Sequence, residues 1–383
     1  MNRQKITEKM TDPPDFLGAK NSRQKARVAG LDPDFWYAVE LEKNLAMETV
    51  IEVKFWKKSI ALYRDINGQV FAVENRCLHR GLKLSSGTVS GCLLQCPYHG
   101  WKYSNDGEIA EIPHDMFGLK KPAIKLQNFP VKIRYGLVWI FPGNPDLAGS
   151  TSIPDIPELE SDNPWACVPL SFTWKAHHSI IIDNVSDFTH AHLHRKYKPF
   201  SDAKLTRCEI IDDNVFVEYD TKVGRGRISG LFVDHESVNT NKMQLCFQYP
   251  YQWSNTDDHI KHWLFVLPID ERTTRSFFLF YFKSLKIPFT RIKIPYQIMR
   301  WVLKISNYLL IAPLLKQDQF AVEEEQLAYE KYWGEPPVEL NPAVRAFQKV
   351  TIEKWQAYLD RNSLSPHAGN VKDSSELPPS PEQ

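Results

Sequence analysis

CLHRGLKLSSGTVSGCLLQCPYHGW, residues 77–101, gives the clearest indication of a fold in this 383-residue chain. It contains two Cys–His pairs, Cys77-x-His79 and Cys96-x-x-His99, with sixteen residues between them. Thiolates and neutral imidazoles both bind transition metals. Glycines lie near both Cys–His pairs, and Pro97-Tyr98 lies between Cys96 and His99. Glycine and proline are typical of tight turns. The pattern therefore predicts two loops that close over a metal centre.

Two kinds of metal centre fit this set of ligands. In a [2Fe–2S] cluster with unlike irons, Cys77 and Cys96 would bind one iron while His79 and His99 bind the other. A structural zinc is the alternative, but zinc sites usually pair Cys with Cys at CxxC spacing. We therefore predict the cluster, and we expect Cys92 to be a buried packing thiol.

The segments around the two pairs indicate the fold class. From Thr49 to Pro142 short apolar runs alternate with turn signals, among them Asn67-Gly68, a pair that favours a type I′ hairpin turn. The second half mixes strand patterns with two predicted helices, from Asp183 to about His194 and from about Leu314 to Trp333. An all-β module is thus followed by an α+β domain.

A second metal site is predicted in DNVSDFTHAHLHRKY, residues 183–197. On a helix, His190 and His194 project from one face and can share a metal, and Asp187 lies on the same face. His192 is the alternative ligand, although its offset of two residues points it away from His190. A surface turn without metal also fits the histidines.

A carboxylate is needed to complete a three-residue facial triad, which leaves positions open for O₂. The candidate is Asp318, in LLKQDQFAVEEEQ. Two alternatives stay open, a helix N-terminal charge favoured by the macrodipole and a ligand role for Glu323, Glu324 or Glu325. The pair His177-His178 falls in a predicted strand, with one ring inward and one outward, and has no assigned role.

The spacing CxH…CPYHGW resembles the Rieske motif, and its surroundings continue the match. Trp36-Tyr37 resembles the start of oxygenase Rieske domains, and GEIAEIPH with FPVKIRYGLVWIFPG resembles their close. The chain is therefore similar to the α (terminal oxygenase) subunit of Rieske non-haem iron oxygenases. The nearest types are carbazole dioxygenase, vanillate demethylase, saxitoxin hydroxylase and the pheophorbide oxygenases. The resemblance is strong over about 34–142 and weaker beyond.

The resemblance implies an α+β fold class with four parts. Residues 1–33 would be a flexible N-terminal extension, and 34–145 an all-β Rieske [2Fe–2S] domain. Residues 146–362 would form an α+β catalytic domain of the helix-grip, START-like type, and 363–383 a disordered tail.

The resemblance also implies a mononuclear Fe(II) bound by His190, His194 and Asp318. Asp187 would connect this iron with the Rieske His99 of a neighbouring subunit, and Asn184 would lie near the metal. Most of the family places the second histidine five residues after the first, where this chain has arginine. The shorter spacing here is similar to that of the carbazole dioxygenase type.

The implied activity is oxygenation. The chain would use O₂ and electrons from a separate NAD(P)H-dependent reductase or ferredoxin to hydroxylate, dealkylate or dihydroxylate a small organic substrate, cyclic or aromatic. The electron route between subunits implies a homotrimer. The alternative is a Rieske electron-transfer protein whose second domain binds a ligand without catalysis. Iron content separates the two, because an oxygenase would hold three irons per chain and a carrier two.

Composition limits the other partners and the compartment. With 47 basic and 46 acidic residues the chain has no excess of positive charge for nucleic acid. Six cysteines and a polar N-terminus without an apolar h-region favour a reducing, cytoplasmic location. The apolar stretch 294–315 contains Arg300 and Lys304, so it predicts an amphipathic helix on the protein core rather than a membrane span. Association of 294–315 with a membrane surface stays open.

Overall fold

The computed structural model describes residues 12–114, 118–162, 164–194, 200–223, 240–283, 294–335 and 338–363. The first domain is built from short strands in three antiparallel sheets, in the orders β1-β11-β10, β2-β3-β4-β9 and β5-β6-β7-β8. These strands are β1 Tyr37–Leu41, β2 Thr49–Phe55, β3 Lys58–Arg64, β4 Val70–Glu74, β5 Thr88–Ser90, β6 Leu93–Gln95, β7 Lys102–Tyr103, β8 Ile109–Glu111, β9 Asn128–Phe129, β10 Val131–Arg134 and β11 Leu137–Ile140.

The predicted hairpin at Asn67-Gly68 connects β3 to β4, but its turn is not type I′. A type I′ turn needs positive φ at both central residues. Of the pair only Gly68 has a positive φ, of 81°. The Asp65 carboxylate accepts a hydrogen bond from the Gln69 amide at 2.8 Å, which stabilises a longer loop in place of the two-residue turn.

The second domain contains a seven-stranded antiparallel sheet in the order β12-β18-β17-β16-β15-β14-β13. One face packs on the first domain, where Trp139 of β11 lies 4.7 Å from Phe265. The other face carries the helices; Phe247, for example, stacks on Phe347 at 5.1 Å. This is the predicted α+β arrangement. The strands are β12 Ala166–Trp174, β13 Phe200–Ile211, β14 Asn214–Val223, β15 Thr240–Gln248, β16 Tyr251–Thr256, β17 Ile260–Asp270 and β18 Thr273–Phe282.

Part of the predicted N-terminal extension is folded. Helix α1, Ser22–Val28, begins at Asn21, whose side chain accepts a hydrogen bond from the Gln24 amide. Ala26 and Leu31 are fully buried. The expectation of flexibility therefore fails for these residues, because α1 gains its order from contacts with distant helices. Of the predicted tail 363–383, only Ser363 lies among the described residues.

The histidine-rich segment does not form one helix. After the short helix α2, Pro157–Glu160, helix α3 runs over His178–Ser186, and a 3₁₀ segment kinked at His190 covers Phe188–His194. The predicted strand over His177-His178 is wrong, since His177 is the N-cap of α3. Both rings are buried.

A long helix carries the predicted carboxylate. Helix α4, Tyr296–Ser306, passes through a π-helical turn, Asn307–Ile311, into helix α5, Ala312–Tyr332. Asp318 thus lies inside a helix and does not open one. Helix α6, Pro342–Ser363, follows. In the described part of the chain, Tyr296–Tyr332 is the one helix whose length and apolar composition would suffice to cross a membrane.

Candidate metal centres

The two Cys–His pairs of the first domain lie on two loops built alike. The Cys77 amide donates to the Leu82 carbonyl and the Gly81 amide donates to the Cys77 carbonyl, both at 2.8 Å. Gly81 has a φ of +76°, which a residue without Cβ adopts at little cost. In the second loop the Cys96 amide donates to the Trp101 carbonyl at 2.8 Å. Each cysteine is therefore held at the base of a closed turn.

The four side chains fit a cluster with two kinds of ligand. Cys77 and Cys96 are each 2% exposed, while the rings of His79 and His99 are partly exposed with centroids 4.5 Å apart. Burial raises the pKa of the Cys96 thiol, so its thiolate form depends on a bound metal. Desolvation and the neighbouring His79 lower the pKa of His99, which favours the neutral imidazole that binds metals.

Two aromatic residues support these ligands: Trp101, the last residue of the CPYHGW run, and Tyr103, which sequence reasoning missed. The Tyr103 hydroxyl accepts a hydrogen bond from the Leu78 amide at 2.9 Å and lies 3.2 Å from the Cys77 sulfur. Because its oxygen already accepts, its proton is available to the sulfur. The Trp101 ring stacks on His79 at 4.9 Å with an interplanar angle of 4°. No spacing rule in the sequence separates Tyr103 from ordinary core residues.

Cys92 is not the buried packing thiol that we expected. Its side chain is exposed, and its sulfur accepts a hydrogen bond from the Asn67 side-chain amide at 3.2 Å. The residue follows the positive-φ Gly91, so the turn places it at the surface.

The second centre brings together side chains from two distant segments. Ligand-type atoms of His190, His194 and Asp318 all lie within 4.8 Å of one another. The Oδ1 atom of Asp318 is 3.5 Å from Nε2 of His190 and 3.4 Å from Nε2 of His194. Asp318 and His194 are buried. Three ligand atoms converging at this spacing fit a single metal ion with open coordination positions.

The electrostatics of this group also suit a cation. Burial lowers the pKa of His190, and Asp318 offsets this only in part. Burial also lowers the pKa of His194, but its hydrogen bonds to Asp318 and Gln317 and the negative charge of Asp318 outweigh this and leave that pKa raised. Gln317 Oε1 lies 3.0 Å from His194 Nδ1 and so orients Nε2 toward Asp318. Sequence reasoning missed Gln317, although it adjoins the predicted carboxylate.

The remaining predicted residues lie around this group without joining it. His192, the alternative ligand, is exposed. Asp187 ends α3, and its carboxylate accepts hydrogen bonds from the amide and the hydroxyl of Thr189 at 2.8 and 2.6 Å. Asn184 is partly exposed in the last turn of α3.

Helix α3 is connected to α1 and α5 by an ion-pair network centred on the buried Arg27. Nη1 of Arg27 lies 2.8 Å from Asp183 and Nη2 lies 2.7 Å from Glu325. Burial raises the pKa of Asp183 to about 6, although Arg27 lowers it in part. Arg27 therefore links α1 to α3, which directly precedes the histidine segment, and to α5, which carries Asp318. Neither Arg27 nor its network was predicted, because the partners are far apart in sequence.

Comparison with known proteins gives consistent matches in both domains. The Rieske [2Fe-2S] domain family matches residues 35–129, and the vanillate O-demethylase oxygenase C-terminal domain family matches 174–359. A 4beta-methylsterol monooxygenase of Methylococcus capsulatus is 42% identical over 338 residues, which cover 88% of this chain and 92% of that protein. The oxygenase component of dicamba O-demethylase from Stenotrophomonas maltophilia is 32% identical over 180 residues, 46% of this chain and 52% of that protein.

A solved structure shares the fold. Dicamba monooxygenase bound to 3,6-dichlorosalicylic acid matches with a TM-score of 0.71 at 22% identity, over 88% of this chain and 100% of that chain. At 22% identity this similarity supports a shared fold and nothing further.

Proposed function

This chain belongs to the Rieske non-haem iron oxygenases as a terminal oxygenase subunit, and from that premise we propose that it hydroxylates a bulky, largely apolar cyclic compound. The family places a [2Fe–2S] cluster and a mononuclear iron in the chain, and it implies O₂, a small organic substrate and a separate reductase or ferredoxin as partners. The substrate class, the roles of individual residues and the assembly are the proposal.

The residues that would hold the two groups follow from the geometry. Cys77, His79, Cys96 and His99 would hold the cluster, and His190, His194 and Asp318 the iron. When bound, the cluster supplies single electrons and the iron supplies activation of O₂. The single observation that carries the oxygenase function is the convergence of two imidazoles on one buried carboxylate. A protein that only carries electrons has no use for this second group.

We propose that Asp187 and Asn184 connect the two centres across a subunit boundary. Asp187 lies between α3 and His190 and is partly exposed, as is His99 in the first domain. A carboxylate there can accept a hydrogen bond from the ring of a neighbouring His99. This pairing requires a head-to-tail ring, for which we propose a homotrimer. Light scattering should then give about three times the chain mass of 44.4 kDa.

The side chains on the helix-facing side of the seven-stranded sheet favour the proposal of an apolar cyclic substrate. Phe278 and Phe280 stack at 5.7 Å, and the His262 ring lies 4.9 Å from Phe280. The Ser254 hydroxyl is 2.6 Å from Nδ1 of His262. Burial lowers the pKa of His262 to about 4, so the ring is neutral near pH 7. A mostly aromatic surface with one neutral polar pair suits a ring skeleton that carries a single hydroxyl or carbonyl group.

Similarity to the methylsterol monooxygenase supports the same class of substrate. Helix α5, which carries Asp318, crosses the end of β12 on this side of the sheet, where Gln319 donates to the Thr173 carbonyl at 3.4 Å. Helix α5 thus connects the proposed iron ligand Asp318 with strand β12 of the same sheet.

The test is turnover under ¹⁸O₂ with a generic reductase and a panel of sterols, other polycyclic alcohols and small aromatic acids. We expect a polycyclic alcohol to gain one ¹⁸O atom, and Asp318→Asn to form no product while its cluster is still reduced. Conversion of only the small aromatic acids, or gain of two ¹⁸O atoms, would contradict the proposal.

We also propose the domain limits 34–145 and 146–362 and a cytoplasmic location. The two family matches, at 35–129 and 174–359, lie on either side of the proposed boundary. None of the six cysteines is paired in a disulfide, which fits a reducing compartment.

A further inference from the structure

The long helix exposes an apolar stripe at one end. The stripe consists of Ile298, Trp301, Ile305 and Tyr308, all exposed, with Trp301 at 64% and Tyr308 at 79%. Their spacings of three, four and three residues place them on one face of α4 and the π-helical turn. Leu309, also exposed, widens the stripe.

The opposite face of α4 is anchored on the protein. Met299 and Leu303 are each 1% exposed and belong to a small core with Ala166 and Phe282 at the ends of β12 and β18. The Asn307 side chain donates to the Val168 carbonyl at 3.3 Å. The orientation of the stripe is therefore fixed, and it points away from this core.

Basic residues border the stripe and acidic residues are absent from this stretch of sequence. Arg300, Lys304 and Lys316 are exposed, and residues 294–317 contain no Asp or Glu. Exposed aromatic residues beside Lys and Arg are typical of the headgroup region of a membrane. Arg300 and Lys304 fall in the middle of the apolar stretch, and the helix already packs on the sheet. Both facts disfavour a span and favour a helix that lies in the interface.

We propose that the α4 stripe docks this enzyme on the surface of a bilayer that contains anionic lipids. The helix lies in the plane of the headgroups, with Trp301 and Ile305 below them and Arg300 and Lys304 at their level. The same helix continues into α5, which carries the proposed iron ligand Asp318 ten residues after Tyr308. In this respect the inference rests on the proposed function, because an apolar cyclic substrate would be drawn from the membrane itself.

Flotation of the iron-loaded enzyme with vesicles tests the docking without any turnover. The vesicles are phosphatidylcholine alone or a mixture with phosphatidylglycerol. We expect the enzyme to float with the mixed vesicles. Lys304→Gln should lower the partition coefficient on mixed vesicles about fivefold and change it little on neutral ones. The double variant Trp301→Ser, Ile305→Ser should lower it about tenfold or more.

The matched control is Ile210→Ser with Ile211→Ser, which removes two exposed apolar side chains at the end of β13. This control should float like the wild type, and a circular dichroism spectrum equal to that of the wild type shows that each variant is folded. Equal flotation of the stripe variant and the wild type would overturn the proposal. So would loss of oligomeric state in the stripe variant without vesicles, because the stripe would then be a subunit interface. Failure of alkaline carbonate to release the wild type would indicate a span instead.

Turnover separates this inference from the proposed function. With substrate dispersed in detergent, the stripe variant should work as fast as the wild type, and it should be slower only with substrate in vesicles. If no polycyclic compound is converted at all but flotation behaves as expected, the substrate class is wrong and the docking surface stands.

Discussion

Replacing Gln317 by leucine should weaken iron binding without touching a proposed ligand. Gln317 Oε1 lies 3.0 Å from Nδ1 of His194. The side chain of His194 is only 2% exposed. The Gln317→Leu variant leaves this buried Nδ1 atom without its hydrogen-bond partner. It also removes the contact that holds the proton on Nδ1 and keeps Nε2 directed toward Asp318. Loss of such an outer contact typically weakens metal binding 10–100-fold, which corresponds to about 1.4–2.7 kcal/mol.

The assay is titration of the apo second site with Fe(II) under anaerobic conditions, with circular dichroism and thermal unfolding of each variant as the check that the second domain is folded. Gln319→Leu is the matched control on the same helix, since Gln319 bonds Glu323 at 2.8 Å and does not touch the histidines. We expect the control to bind iron like the wild type and Gln317→Glu to restore most of the affinity. Equal iron affinity of Gln317→Leu and the wild type would refute the role of His194 as an oriented ligand.

Three further predictions concern the rest of the molecule. Arg27→Met should lower the free energy of unfolding by about 3–5 kcal/mol in urea titrations, because it leaves Asp183 buried without its partner; a loss below 1 kcal/mol would mean that the network is not important for stability. Burial lowers the pKa of His178 to about 4, so its neutral ring favours the fold, and stability should fall by up to about 3 kcal/mol as the pH drops from 6.5 to 4. His178→Gln should make that part of the curve shallower, while His262, whose pKa is also lowered to about 4, still contributes to it; an unchanged slope would contradict the assignment. Tyr103→Phe removes the hydroxyl beside the Cys77 sulfur and should lower the cluster reduction potential by about 40 mV in a spectroelectrochemical titration, whereas a rise would contradict its role as donor.

The sequence predicted the parts of the fold that depend on local chemistry. The paired Cys–His loops need only short spacings and turn residues, and the structure has both. His190, His194 and Asp318 were chosen from their residue types and spacing, and the structure places them together. Which of these residues bind metal stays a prediction until iron is measured.

The parts that could not be predicted depend on contacts between distant segments. Arg27 orders α1 through partners on α3 and α5, so residues before it look flexible when taken alone. Ile180, Ile181 and Ile182 favour a strand by their local propensity. In the structure they belong to helix α3, and all three side chains are buried, so contacts with the rest of the protein outweigh that propensity. The kink at His190 likewise has no marker in the sequence.

The number of irons bound per chain distinguishes a terminal oxygenase from an electron carrier. We expect three irons in the reconstituted wild type, two in His194→Ala and in Asp318→Asn, and three in His192→Ala, with the cluster spectrum unchanged in all four proteins. A wild type that holds a full cluster and never takes up a third iron would contradict this expectation.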